Sequence, residues 1–338
     1  MAGRKVRAAV IGASTLLGKE LADELNQAKT VTWDLTLFDS TEAGGQITAA
    51  GDEALVIQQV SAEAFANIDV AFFAGEPATT LEFWQIAQTA GASIVDLTGA
   101  LEGKPHVIVR TPFVAGGPVP DLSTVAVVSA HAAAIILAAV NTRLLSLGLS
   151  RMAATVLQPA SELGSAGVEE MHQQTVGLLS FKPLTKDVYD AQVAFNVVAA
   201  VGDTAKVGLE TVRQKIVGDI KVIAGDVGFE TIALQLLQVP VFHGYTASLF
   251  LEFETSVTAE AVSASLRGGV LPLVEERVPS NETVAGRGEI FFRVTAANFR
   301  GGSAFWLWIA ADNLRLAVGN AVACAIELVE LRPTKSVN

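Results

Sequence analysis

Cysteine is almost absent from this chain: Cys324 is the only one among 338 residues. A single cysteine excludes an internal disulfide framework and a cysteine-rich metal site. Histidine is also scarce, with four residues, and only His131 and His243 stand in a suggestive context. Two histidines without a third ligand of known placement do not predict a metal centre.

Charged residues are scarce as well, at 17% of the chain, and the formal net charge is −12. This negative balance argues against nucleic acid and anionic membrane surfaces as general partners. The chain is 51% hydrophobic, which favours a buried parallel sheet covered by alanine-rich helices. A length of 338 residues predicts two domains.

Long apolar runs are lacking too. The segment Thr124–Val140 is nearly apolar, but it is shorter than the about 20 residues that a membrane helix needs, and it contains His131. It predicts a buried strand that leads into a buried helix. The basic residues near the N-terminus precede an apolar run that soon ends at a glycine, which is not the pattern of a signal peptide. Repeats and low-complexity tracts are missing. The negative net charge and the single cysteine are typical of a cytoplasmic protein, which we therefore expect.

A glycine turn near the N-terminus organises the first domain. The apolar run Val6–Ile11 predicts a strand, Gly12 and Gly18 follow it, and leucines recur with a helical period in Lys19–Gln27. Gly12 would let the backbone approach a pyrophosphate, which the helix N-terminus would favour. Because Ser14 replaces the middle glycine of G-x-G-x-x-G, a turn that binds nothing is the alternative. The predicted dinucleotide contacts here are Gly12, Ser14, Thr15, Leu16 and Gly18.

Acidic residues follow the next predicted strand, Asp34–Phe38. Asp39 ends this strand, at a spacing where a carboxylate can bind the adenosine ribose hydroxyls, and Glu42 lies just beyond. Lysine and arginine are missing between Asp34 and Glu53, so a 2′-phosphate has no partner there. The sequence therefore predicts NAD as the cofactor, with NADP disfavoured. The alternative is that this stretch is a solvated polar loop.

Strands and helices alternate through the rest of the first third. Asp69–Ala74 and Ala92–Leu97 read as strands, and Thr80–Ala90 between them reads as a helix. This alternation predicts an α/β fold with a Rossmann-type doubly wound parallel sheet, whose ligands bind at the strand C-terminal ends. Gly75 follows such a strand and is a further predicted cofactor contact.

The pattern changes after Arg151, where period-2 strands such as Thr246–Glu254 mix with helices and predict an α+β domain. The long helix Leu314–Leu331 is expected to return to the first domain. We therefore expect a Rossmann domain formed by residues 1–130 and 313–338, and an α+β domain formed by residues 131–312.

Several short motifs occur in the order found in aspartate-semialdehyde dehydrogenases. They are the glycine turn, the A-F-N run at Ala194–Asn196, the V-P-V run at Val239–Val241, and D-N-L-R at Asp312–Arg315 followed by Asn320. The chain resembles this family over nearly its whole length, and most of all its divergent USG-1-like paralogues. The resemblance implies a Rossmann domain, an α+β dimerisation and substrate domain, a homodimer, and a cofactor contact at Asn313.

In that family a cysteine forms a thioester with the substrate while hydride passes to or from NADP, and the motifs locate the residues involved. His131 stands where the nucleophilic cysteine is expected, and Tyr245 where the basic histidine is expected. Gln238 and Glu102 replace two arginines, one of which would hold the substrate carboxylate. The family glutamine survives as Gln158 and Ser161 follows, but Glu162 replaces a glycine. Cys324 lies in a predicted helix and cannot substitute as the nucleophile.

Three functions remain open on these residues. The first is a catalytically degenerate paralogue that keeps the fold, the dimer and NAD. The second is an active NAD-linked oxidoreductase on another carbonyl compound, with Tyr245 or His131 as proton donor. The third is a non-enzymatic regulatory subunit that pairs with a true dehydrogenase. His131 itself reads either as a proton carrier or as a hydrogen-bonded pocket histidine.

Overall fold

A computed structural model describes residues 5–28, 31–39, 47–50, 53–297 and 303–332. The chain divides into two compact units. The first unit contains Met1–Pro112, Pro118–Ala130 and Ala317–Asn338, and the second contains Phe113–Gly117 and His131–Leu316.

The described residues form fourteen strands and eight α-helices. The elements of the first unit are β1 (Lys5–Ile11), α1 (Leu16–Gln27), β2 (Thr32–Asp39), β3 (Ile47–Ala50), β4 (Glu53–Gln59), β5 (Val70–Phe73), α2 (Pro77–Thr89), β6 (Ser93–Asp96), β7 (Val107–Arg110) and β8 (Ala126–Ser129). The second unit follows with α3 (Ala132–Leu144), β9 (Leu149–Gln158), α4 (Gly164–Leu179), α5 (Leu209–Glu230), β10 (Ile232–Gln238), β11 (Tyr245–Phe253), α6 (Ala259–Leu266), β12 (Leu273–Glu275), α7 (Asn281–Val284), β13 (Ile290–Ala296) and β14 (Ser303–Ala311). The last helix, α8 (Asn313–Leu331), begins in the second unit and continues in the first.

The first unit contains an eight-stranded sheet in the order β3-β4-β2-β1-β5-β6-β8-β7. All neighbouring strands are parallel except β3 and β4. The strand order reverses at β1, which lies between β2 and β5. In a parallel sheet such a reversal opens a crevice at the strand C-terminal ends, where ligands bind.

Apolar residues cover both faces of this sheet, as a doubly wound fold requires. One face packs against α1 and α8, with Val10, Phe72, Leu21 and Leu328 in a shared cluster. The other face packs against α2 through residues that include Trp84 and Ala87. The predicted Rossmann-type α/β fold is confirmed.

The second unit is built on a six-stranded mixed sheet in the order β10-β9-β11-β14-β13-β12. The side chains of β11 alternate: Ala247, Leu249 and Leu251 are buried, whereas Phe250 between them is half-buried. The predicted α+β class is therefore confirmed as well. One face of the sheet is the core, and the other carries partly exposed aromatic side chains.

Some element boundaries differ from the sequence-based expectation. The nearly apolar segment Thr124–Val140 does form a buried strand and a buried helix, as predicted. The sequence pattern predicts a helix over Gly208–Gly218 and a strand over Glu230–Leu236. In the structure the helix α5 instead continues to Glu230, and β10 begins at Ile232. A side chain at position 218 would meet no described atom within 4 Å, so this exposed glycine is tolerated inside the helix. The break occurs at Gly225, whose φ is 73°.

Within the described residues, we find no helix long and apolar enough to cross a membrane.

Candidate functional site

The glycine turn of the first unit has the close packing that its sequence predicts. Gly12 has a φ of 91°, and a Cβ atom there would lie 2.3 Å from the Cα of Gly75. A Cβ atom on Gly18 would lie 2.1 Å from the carbonyl oxygen of Gly12. Only glycine fits all three positions, and the C-terminal ends of β1 and β5 therefore meet backbone to backbone.

Thr15 caps the helix that follows this turn. Its hydroxyl lies 2.8 Å from the Gly12 carbonyl and 2.9 Å from the Ala74 carbonyl, and it accepts the Gly18 N–H at 2.9 Å. The Thr15 side chain therefore holds the turn together. The first-turn N–H groups of Leu16 and Leu17 have no partner within a helix and point out of its positive end, as an anion site requires.

Asp39 lies at the C-terminal end of β2, as predicted, and is 9% exposed. Its Oδ2 accepts the backbone N–H of Ser14 at 2.7 Å. This contact fixes a carboxylate at the edge of the glycine turn, which is inconsistent with a fully solvated side chain. Glu42 lies outside the described residues.

In the second unit, three polar side chains form a row across the sheet. Gln238 on β10 pairs with Gln158 on β9, and the register of β9 with β11 places Tyr245 next in the row. All three are about 1% exposed. Gln158 Nε2 donates to Gln238 Oε1 at 3.1 Å, and Gln238 Nε2 donates to the carbonyls of Gln158 and Val239.

His131 is the N-cap of α3, and both of its ring nitrogens are engaged. Nδ1 accepts the backbone N–H of Ala133 at 3.2 Å, and Nε2 lies 2.7 Å from Glu162 Oε1. An N–H group can only donate, so Nδ1 carries no proton, and the ring proton lies on Nε2 and is donated to Glu162. The alternative of a hydrogen-bonded pocket histidine describes this geometry.

Glu162 is the second member of this cluster. Burial acts to raise the pKa of its carboxyl, but His131, the Tyr245 hydroxyl and Lys215 outweigh burial, and the pKa lies below its ordinary value. Burial and the nearby Glu162 raise the pKa of Tyr245 well above its ordinary value. The Tyr245 hydroxyl lies close to Glu162, but it is buried and not aligned for a hydrogen bond with any group in the described part of the chain.

Two residues of α5 complete the cluster, and neither was identified from the sequence. Asp219 is 2% exposed and accepts the backbone N–H of His131 at 2.7 Å. Lys215 Nζ lies 2.6 Å from each carboxylate oxygen of Asp219. The sequence feature that could have identified them is a pair of opposite charges four residues apart on one helix, beside isoleucines.

Asn313 connects the loop before β11 with Ser161, close to Glu162 in sequence. Its Oδ1 accepts the Gly244 N–H at 2.9 Å, and its carboxamide bonds the Ser161 hydroxyl. The cofactor contact expected for Asn313 stays a prediction. The spacing of two residues on an extended run predicts that His243 and Tyr245 share a face. This prediction is wrong: Gly244 between them has a φ of 86°, so the alternation is broken, and His243 is exposed whereas Tyr245 is buried.

Cys324 is fully buried in α8, and burial together with the charge of Glu327 raises the pKa of its thiol. This environment suppresses the thiolate that a nucleophile needs. Among the described residues there is no group of three or more histidine, cysteine, aspartate or glutamate side chains that could hold a metal ion.

Comparison with known proteins identifies the class. Residues 7–146 match the NAD binding domain of semialdehyde dehydrogenases, and residues 142–316 match their dimerisation domain. The chain belongs to the semialdehyde dehydrogenase family.

Individual relatives match over most of their length. A USG-1 protein homolog of Pseudomonas aeruginosa is 28% identical, with 91% of this chain and 92% of that protein covered. A probable aspartate-semialdehyde dehydrogenase structure from Pseudomonas aeruginosa is 26% identical, with a TM-score of 0.82 over 97% of this chain and 99% of that one. An aspartate semialdehyde dehydrogenase from Candida albicans, solved with NADP, is 15% identical, with a TM-score of 0.69 over 97% and 99%.

Proposed function

We propose that this protein is an NAD-binding member of the semialdehyde dehydrogenase family that lacks the phosphate-dependent oxidation of aspartate semialdehyde. The nucleotide would bind at the glycine turn through Gly12, Ser14, Thr15, Leu16, Gly18 and Gly75, with Asp39 on the ribose. The catalytic positions implied by the family motifs would be occupied by His131, Gln158, Gln238 and Tyr245.

The geometry of His131 carries this proposal. A residue that replaces the nucleophilic cysteine would need a free nitrogen with a lone pair to attack a carbonyl. The lone pair of His131 Nδ1 accepts a helix N–H, and its Nε2 proton is held by Glu162. The imidazole is therefore used to cap α3 and to bind Glu162, and neither nitrogen is available for covalent catalysis.

The alternative of an oxidoreductase with Tyr245 as proton donor has less support. A general acid works best when its pKa is near the operating pH. Burial and the nearby Glu162 raise the pKa of Tyr245 well above its ordinary value, and therefore further from neutral pH. The side chain is also 1% exposed.

Nucleotide choice tests the first part of the proposal. The fixed carboxylate of Asp39 should accept from a ribose 2′-hydroxyl and repel a 2′-phosphate. We expect NAD to bind at least about tenfold more tightly than NADP, a difference of roughly 1.4 kcal/mol. Calorimetric titration of each nucleotide measures this ratio.

The matched variants are Asp39→Asn and Asp34→Asn, both on β2. Asp34 pairs with Lys5 on the surface, so its substitution should leave the ratio unchanged, whereas Asp39→Asn should bring the two affinities to within about threefold. Equal affinities in the unmodified protein would exclude the role given to Asp39. If neither nucleotide binds, the first unit is only a scaffold.

Assembly provides a second test, because we propose a homodimer formed by the outer face of the second sheet. Trp306 is 47% exposed and Trp308 is 38% exposed, and Trp306 packs edge-on against Phe250 with ring centroids 5.2 Å apart. Large aromatic residues at such positions dominate interface energies. Light scattering at micromolar concentration should give about twice the 35.3 kDa of one chain.

Replacement of Trp306 by glutamate should weaken the dimer by roughly 3 kcal/mol, or more than about a hundredfold in dissociation constant. The control is Leu122→Glu in the first unit, where the leucine side chain is 76% exposed. This substitution should leave the dissociation constant of the dimer unchanged. A monomeric mass for the unmodified protein, or equal effects of the two variants, would contradict this interface.

A further inference from the structure

Asp96 at the end of β6 has a carboxylate that is 0% exposed. Its Oδ1 accepts the backbone N–H and the hydroxyl of Thr98, each at 2.7 Å, and its Oδ2 accepts the backbone N–H of Leu101 at 2.9 Å. Among the described residues, no basic side chain pairs with this carboxylate. Removing a carboxylate from water is unfavourable, and here only the loop Thr98–Leu101, which we call the Thr98 loop, compensates. Asp96 therefore fixes the conformation of that loop.

The hydroxyl of Thr98 extends this network to the helix α2. It has one proton, which Asp96 accepts, so its other contacts are those of an acceptor. These contacts are the backbone N–H of Ala100 at 3.3 Å and the hydroxyl of Thr80 at 3.1 Å. Thr80 is 1% exposed and lies in the first turn of α2, which begins two residues after Gly75. The Thr98 loop is thereby tied to the helix that begins beside the glycine turn.

The sheet places the Thr98 loop at the same edge as the predicted nucleotide contacts. The strands β2, β1, β5 and β6 are consecutive and parallel, so their C-terminal ends lie side by side. Asp39 ends β2, and the Thr98 loop follows β6, which is three strand spacings or about 14 Å away. A dinucleotide binds across the reversal of strand order at β1. With its adenosine ribose at Asp39 and its pyrophosphate at the glycine turn, its other half must extend over β5 and β6.

The Thr98 loop presents backbone polar groups at this edge. Gly99 is half-buried and has a φ of 76°, a left-handed conformation that favours glycine. Its carbonyl accepts the N–H of Glu102 at 3.3 Å, whereas its own N–H makes no hydrogen bond within the described part of the chain. Such an N–H can donate to a ribose hydroxyl or to a carboxamide oxygen. Its direction depends on the backbone conformation that Asp96 fixes.

We propose that Asp96 is a positioning residue for the nicotinamide riboside half of NAD. Its carboxylate and the hydroxyl of Thr98 hold the Thr98 loop in the conformation that directs the Gly99 N–H toward that half of the nucleotide. The side chain of Asp96 does not itself touch the ligand. The inference rests on the proposed function, because it takes Asp39 and the glycine turn as the site of the adenosine ribose and the pyrophosphate.

NAD and ADP are the probes, since ADP contains the adenosine and the pyrophosphate but lacks the nicotinamide riboside. Each is titrated by calorimetry at a temperature below the unfolding transition. The variant Thr98→Val keeps the shape of the side chain and removes the hydroxyl. We expect it to weaken NAD binding about tenfold, as the loss of about one well-formed hydrogen bond would. The affinity for ADP should change by less than about twofold.

Three further variants complete the comparison. Thr98→Ser retains the hydroxyl, and its NAD affinity should stay within about threefold of that of the unmodified protein. Thr89→Val makes the same change as Thr98→Val at the end of α2, where the hydroxyl donates to the Gln85 carbonyl at 2.7 Å, and it should leave both affinities unchanged. Asp96→Asn places an amide NH2 group against backbone N–H donors and should weaken NAD binding at least about tenfold. Thr98→Val keeps the test decisive if Asp96→Asn fails to fold.

Three results would overturn the role of Asp96. They are equal weakening of NAD and ADP by Thr98→Val, an NAD affinity that Thr98→Val leaves unchanged, or a Thr98→Ser variant that binds NAD as weakly as Thr98→Val. In these cases ADP binding by the unmodified protein still supports the nucleotide site at the glycine turn. If the unmodified protein binds neither ADP nor NAD, that site is absent, and the role of Asp96 fails together with the proposed function.

Discussion

Replacing Gly12 by alanine should lower the free energy of unfolding by about 3 kcal/mol and weaken nucleotide binding more than about a hundredfold. Two effects add at this position. A φ of 91° is strained for any residue with a Cβ, and that Cβ would lie 2.3 Å from the backbone of Gly75. The ends of β1 and β5 must therefore separate, which moves the N–H groups that would hold the pyrophosphate. Thermal unfolding and calorimetric titration below the transition measure both effects.

Gly91 provides the matched control. Its φ is 99°, but no described atom lies within 4 Å of a Cβ built there. Gly91→Ala should show the backbone strain alone, about 1 kcal/mol, with nucleotide affinity unchanged. If Gly12→Ala binds NAD as well as Gly91→Ala does, the glycine turn is not the nucleotide site.

Introducing a cysteine by His131→Cys should not create dehydrogenase activity. A thiolate needs positive surroundings, but Glu162 would lie beside the new thiol and raise its pKa. On the proposed assignment of the family positions, the thiol would also lack a base, because Tyr245 stands at the position of the histidine, and the substrate carboxylate would lack an arginine, because Gln238 stands there. Loss of one such group typically lowers the rate by several orders of magnitude, and groups that act as a unit are not additive. The measurement is the rate of reduced-nucleotide formation from semialdehyde and phosphate.

The triple variant His131→Cys, Tyr245→His, Gln238→Arg is the comparison for this prediction. Weak activity in the triple variant alone would indicate descent from an active enzyme. Substantial activity in the single variant would show that Glu162 and Tyr245 do not block the site.

Local sequence patterns predicted those parts of the fold that local physics determines. The period of apolar residues located β1 and α1, and the left-handed conformation of Gly12 follows from a tight turn after a buried strand. Asp39 lies at the C-terminal end of β2, as its spacing predicts, because parallel strands end at the same edge of the sheet. Its contact with a nucleotide stays a prediction. These features depend on residues that lie close together in sequence.

The interactions that define the cluster around His131 depend instead on residues that are distant in sequence. Asp219 accepts the backbone N–H of His131, which lies 88 positions away in sequence. The local pattern of α5 does not predict that partner. The role of Glu162 was missed for the same reason, since its partner lies 31 positions away. The error at His243 has a different cause: period-2 alternation was extended through Gly244, whose positive φ reverses it.

Turnover by the unmodified protein decides whether it oxidises aspartate semialdehyde. Purified protein is mixed with aspartate semialdehyde and phosphate, and formation of reduced nucleotide is followed with NAD and with NADP. We expect a rate equal to that without protein, in a preparation that binds NAD by calorimetry. Turnover that His131→Ala abolishes would contradict the proposed lack of activity and make His131 catalytic.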